Sequence, residues 1–93
     1  MARQTPKIRF VHRTGCSLCE AMWSEFEACR AGLSADIGSR LEVDVVDLVD
    51  HPELEARYGQ RIPVLELERH EVCRYFFDET ALRASLSRLP IAV

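Results

Sequence analysis

The sequence predicts an α/β domain in which four strands make a mixed sheet flanked by helices, in the order βαβαββα. Three observations predict it. Apolar residues recur at helical spacing straight after a short strand-like run. A later run alternates apolar and acidic residues with a period of two. Two further strand-like runs then follow one another with only a short charged break between them, which suits an antiparallel hairpin.

Each element has its own signal. Lys7 to His12 carries Ile8, Phe10 and Val11 and ends at the break Thr14-Gly15, as a first strand does. Leu18, Met22, Phe26, Cys29 and Leu33 then form one apolar stripe, so a helix starts at the cysteine pair Cys16-Ser17-Leu18-Cys19. Leu41-Glu42-Val43-Asp44-Val45 reads as an edge strand with one face on the core and one in water. Joined to the first strand through a helix, it should run parallel to it with a right-handed crossover.

Asp50 before His51-Pro52-Glu53 has the pattern of a helix start, with Asp50 as cap, Pro52 in the first turn and Glu53 completing a capping box; Gly59 is the expected stop. Ile62 to Glu68 and Glu71 to Phe77 are the hairpin strands, separated by Arg69-His70. Asp78 caps a final helix whose apolar side is Leu82, Leu86 and Leu89.

The 93 residues leave room for one domain, 1–93, and 47% apolar content supplies a core. A formal charge of -3 offers no basic face for nucleic acid. The basic start Met1 to Lys7 lacks the apolar run of a secretory signal, and no segment approaches the roughly 20 apolar residues of a membrane span. A cytoplasmic monomer that binds neither nucleic acid nor membrane is expected.

Four cysteines are sparse for a secreted scaffold, so each is judged by position. A Cys-x-x-Cys between strand and helix is chemically specific, because the helix start offers unpaired N–H groups and a partial positive charge to a thiolate. Cys16 would be the nucleophile. Cys19, one turn later, would resolve the mixed disulfide. The competing reading is a zinc site, since His70 and Cys73 also stand three apart and with Cys16 and Cys19 make a three-cysteine, one-histidine set. A third reading is a binding domain without turnover. Cys29 lies on the helical stripe and reads as a small buried hydrophobe. Ile62-Pro63-Val64 puts a proline at a strand start, where its missing N–H costs nothing.

The pair after the first strand, Ile62-Pro63-Val64 opening the third, and the hairpin followed by a terminal helix resemble a glutaredoxin-like protein of the thioredoxin fold, over about Lys7 to Leu89. The likeness is to a small bacterial glutaredoxin-like group. It implies a glutaredoxin-type, thioredoxin-like fold and thiol-disulfide oxidoreductase activity without a bound cofactor, on a disulfide-containing protein or a glutathione mixed disulfide, with either glutathione as co-substrate or a thioredoxin-type donor as the reductant. It further implies that Pro63 is cis and faces the cysteine pair, and that the backbone of Ile62 pairs with the peptide part of the bound thiol, a form of strand addition. Arg13 takes the place of a lysine near the thiolate in many glutaredoxins, where a guanidinium can receive a carboxylate. Arg61 is a second candidate for that role. Two departures stand out: Ser17-Leu18 replaces the Pro-Tyr common inside the pair, and Tyr75-Phe76-Phe77 stands where a Gly-Gly turn is common, leaving Asp78 to match the glutathione-binding aspartate.

Overall fold

The computed structural model describes residues 6–33, 35–38 and 40–88. Four strands, β1 (Lys7–His12), β2 (Glu42–Asp47), β3 (Val64–Leu67) and β4 (His70–Arg74), form one sheet in the order β2-β1-β3-β4. β1 pairs parallel with β2 and antiparallel with β3, and β3 pairs antiparallel with β4. The helices are α1 (Ser17–Ala31), a four-residue α2 (Ala35–Gly38), a four-residue α3 (Glu55–Tyr58) and α4 (Glu79–Ser87). The predicted element order holds, with α2 added. Leu89 lies outside the described residues.

Both faces of the sheet are covered, because side chains alternate along each strand and both sets are apolar over part of their length. On one face Ile8, Phe10, Leu65 and Leu67 pack with Met22 and Phe26 of α1 and Leu82 and Leu86 of α4. On the other, Val11, Val46 and Val64 pack with Leu48 and Tyr58 from the segment between β2 and β3. All four residues of β3 are buried, as befits a central strand covered on both sides. The layers are also tied by polar contact: Glu66, 7% exposed, accepts the Tyr58 hydroxyl at 3.0 and 3.2 Å.

Four expectations are corrected. Asp50 is not a cap. It lies inside a 3-10 turn, Leu48–Asp50, whose cap is Asp47, with its carboxylate accepting the Val49 N–H at 3.0 Å. His51, preceding Pro52, is pushed out of the helical region (φ -136°, ψ 66°), so a second 3-10 turn, Pro52–Leu54, must begin afresh before α3. Glu53 meets the His51 ring at 3.1 Å instead of closing a capping box.

The hairpin turn falls on Glu68-Arg69, both at positive φ (50° and 72°), the handedness that matches strand twist; His70 already belongs to β4. Val45 was expected on the core face of β2, but it is 49% exposed and Val46 is buried on the opposite face. At a sheet edge the covering layer shields only part of the strand.

Gly59, the expected stop, does cap α3, for a steric reason: its N–H donates to Glu55 O at 2.7 Å, and an added Cβ would also lie 2.7 Å from that oxygen.

Candidate functional site

β1 ends in the sheet centre at His12, and the chain turns through Thr14 and Gly15 into α1. Gly15 takes φ 86°, which a side chain would resist. The Cys16 N–H closes the turn on Arg13 O at 3.1 Å.

Cys16 is the N-cap of α1: its backbone is extended and its Sγ accepts the Cys19 N–H at 3.1 Å, the role a serine or aspartate oxygen usually fills. The 15-residue helix thereby aims its unpaired N–H groups and the positive end of its dipole at this sulfur. Cys16 is half-buried, whereas Cys19 is 2% exposed and belongs to the core cluster. The two are joined as a disulfide across a Cα separation of 5.2 Å, within the usual range of about 4.4–6.8 Å.

The loop before Cys16 is pinned twice to the segment after β2. The Asp47 carboxylate accepts the Thr14 N–H at 3.2 Å and, more closely, the Thr14 hydroxyl. These bonds, the hydroxyl first, and the Val49 N–H hold Asp47 below the usual carboxylate range. Arg13 donates to Glu55 at 2.9 Å, which lowers the Glu55 pKa and raises that of Arg13. Neither Asp47 nor Glu55 stood out in the sequence, because each meets its partner across more than thirty residues.

On the other side of β1, the Ile62–Pro63 bond is cis and Pro63 is fully buried. Ile62 packs against both core clusters, one of which also receives Cys16. Arg61 is held by the Arg57 carbonyl at 2.6 Å, by Glu71 at 3.5 Å and over the Tyr58 ring at 5.7 Å. Asp78 caps α4 by accepting the Ala81 N–H at 2.9 Å. The strand pairing of His12 with Asp47, Val11 with Val64 and Val64 with Arg74 puts all of these segments at one end of the sheet.

The zinc set is not gathered. Among the described residues, no group of three or more His, Cys, Asp or Glu side chains is disposed to hold a metal ion. Cys73 points into the core cluster and His70 is exposed at the far end of β4. Burial raises the thiol pKa of both Cys29 and Cys73. Trp23 joins the core face, with ring centroids 5.1 Å from Phe10 and 5.6 Å from Phe26, and His12 stacks on Phe10 at 5.4 Å. No helix among the described residues is long and apolar enough to cross a membrane.

The chain is similar to an uncharacterised protein of Mycobacterium tuberculosis, 30% identical over 83 residues, or 89% of this chain and 84% of that one. The solution structure of protein Ne2328 from Nitrosomonas europaea superposes with a TM-score of 0.70 at 26% identity, covering 91% of this chain and 95% of that one. Mitochondrial thioredoxin 3 of Saccharomyces cerevisiae, in its oxidised form, superposes with a TM-score of 0.66 at 13% identity over 92% of this chain and 80% of its own, which shows a shared fold. Residues 7–87 match the glutaredoxin-like domain DUF836. With the match reaching from β1 to the last turn of α4, the chain belongs to the glutaredoxin-like domain family and has the thioredoxin fold.

Proposed function

We propose that the protein is a thiol-disulfide oxidoreductase acting through Cys16 and Cys19. The observation that carries this reading is the asymmetry of the pair: a half-buried sulfur at the N-cap of a long helix, bonded to a core-buried sulfur one turn on. In the reduced protein, the Cys16 thiolate attacks one sulfur of a substrate disulfide, forming a mixed disulfide and expelling the first substrate thiolate, which takes a proton from solvent. Cys19, deprotonated, then attacks Cys16 Sγ, releasing the second substrate thiol and closing the Cys16–Cys19 disulfide. The substrate gains two electrons and the pair loses them, so no further cofactor is needed. A thiol donor of the glutathione or thioredoxin class, consistent with a cytoplasmic setting, returns the pair to the dithiol.

In this reading Ile62 and Pro63 bind the substrate backbone next to Cys16, a role supported by Ile62 and Cys16 packing on one core cluster, and Arg13, Arg61 and Asp78 are further substrate contacts. The test is reduction of a peptide disulfide by pre-reduced protein. Cys16→Ser should abolish the reaction, and Cys73→Ser should leave it within about twofold. Turnover surviving Cys16→Ser, in protein whose circular dichroism is unchanged, would remove this reading.

A further inference from the structure

Five large apolar side chains are exposed among the described residues: Leu18, Val45, Val49, Tyr75 and Phe76. Four of them lie on the segments that follow β1, β2 and β4, at the sheet end that carries Cys16; Val45 alone sits within a strand. Leu18 stands between the two cysteines and is 44% exposed, and Phe76 is 70% exposed. Single exposed apolar residues need no explanation, but four at one end do.

The Phe76 position is actively held. Tyr75 has φ 69°, a region a bulky side chain avoids, and the Phe76 N–H bonds back to Arg74 O at 2.7 Å, closing a tight turn about Tyr75. That turn is clamped to the segment before β3: the Tyr75 N–H donates to Pro63 O at 2.8 Å and its hydroxyl to Gln60 O at 2.9 Å. Strained backbone persists where surrounding structure over-determines it, commonly at ligand sites. Here it holds already ordered the backbone that carries the exposed Phe76 ring, through the Tyr75 bond to the Pro63 carbonyl, which lowers the entropic cost of binding.

The charges nearby point the same way. Arg13 is paired with Glu55 at 2.9 Å, Arg61 with Glu71 at 3.5 Å, and Arg74 with Glu71 at 3.4 Å. An anionic tripeptide such as glutathione would have to displace these carboxylates, and the Asp78 carboxylate is occupied by the α4 cap.

Resting on the oxidoreductase reading, we infer that the preferred substrate of Cys16 is the disulfide of an extended polypeptide with apolar side chains beside its cysteine, docked on Leu18, Tyr75 and Phe76, in preference to a glutathione disulfide.

The test measures kcat/KM of the full chain on four substrates: a peptide disulfide flanked by leucine and phenylalanine, the same peptide flanked by serine, oxidised glutathione, and the small neutral hydroxyethyl disulfide. The apolar peptide should exceed the serine peptide and oxidised glutathione by about tenfold or more, the scale of one buried aromatic anchor. Phe76→Ser should lower the ratio of apolar peptide to hydroxyethyl disulfide by about tenfold, mainly through KM. Val45→Ser, at the β2 edge, should keep that ratio within twofold and so controls for loss of surface apolarity.

Oxidised glutathione matching the apolar peptide, or an unchanged ratio in Phe76→Ser, overturns the inference while leaving the oxidoreductase reading intact. A concentration-dependent dimer dissolved by Phe76→Ser would assign this rim to a second copy and overturn it too. Failure to reduce any substrate, hydroxyethyl disulfide included, overturns both.

Discussion

What separates the cysteines of this chain is environment. Cys16 meets the positive end of a 15-residue helix and retains partial exposure, whereas Cys29 and Cys73 are enclosed by the core. Burial disfavours the thiolate, so their pKa values rise, and for Cys29 the Glu79 charge adds to the rise while Arg83 opposes it. In the reduced protein at neutral pH, iodoacetamide should modify Cys16 first, with Cys29 and Cys73 at least tenfold slower. Raising the pH should accelerate Cys29 and Cys73 only above the ordinary thiol range. Mass mapping of the alkylated peptides checks the order, and modification of Cys29 ahead of Cys16 would reverse the assignment of nucleophile.

At the scale of elements, the site depends on connections that join loop to loop. Asp47 ends β2, caps the following 3-10 turn and holds Thr14, so one carboxylate fixes both the turn after β2 and the approach to Cys16. Its folded pKa is lowered, so its contribution is complete above the ordinary aspartate value of about 3.9 and is lost as pH falls through the lower folded value. The amide resonances of Thr14 and Val49 should therefore titrate together with a midpoint below that of an unfolded aspartate. In Asp47→Ala this shared step should vanish and both amides should exchange faster. A midpoint at or above the ordinary value would show that the carboxylate does not hold the loop.

The sequence signals for the same region were local and could not reach these partners. Asp50, His51, Pro52 and Glu53 imitate a helix start, yet the geometry imposed on His51 by Pro52 splits the run and leaves the capping to Asp47. Asp47 itself lies beyond the alternating run Leu41 to Val45 and carried no local signal. Its partner Thr14 lies 33 residues away, a separation at which no periodicity carries information.

On the scale of the whole molecule, the sheet is covered unequally. One face carries α1 and α4; the other carries short turns and the four-residue α3, anchored by Tyr58. Tyr58 is fully buried and its hydroxyl donates from that layer to the buried carboxylate of Glu66 in the central strand. Tyr58→Phe should cost about 1–3 kcal/mol, because the carboxylate is left without its donor. For a domain with about 5–15 kcal/mol of total stability that is a large share. The double change Tyr58→Phe with Glu66→Leu should cost less than the single change, since no buried acceptor then remains unpaired. Urea denaturation of the three proteins tests the sign, and a double variant weaker than Tyr58→Phe would place the stabilisation elsewhere.

The sequence by itself determined the element order, the start of α1 at the cysteine pair, the edge position of β2, the hairpin and the Asp78 cap, because each rests on periodicity or on chemistry within a few residues. The cis bond at Pro63 was legible only through family resemblance. Tertiary structure alone decided that His70 and Cys73 stay apart from Cys16, that Asp47 and Glu55 hold the loop before it, and that Leu18, Val49, Tyr75 and Phe76 share its end of the sheet. The physical reason is the same in each case: strand register, set by burial on both faces of the sheet, brings together segments whose separation along the chain exceeds the reach of any local pattern.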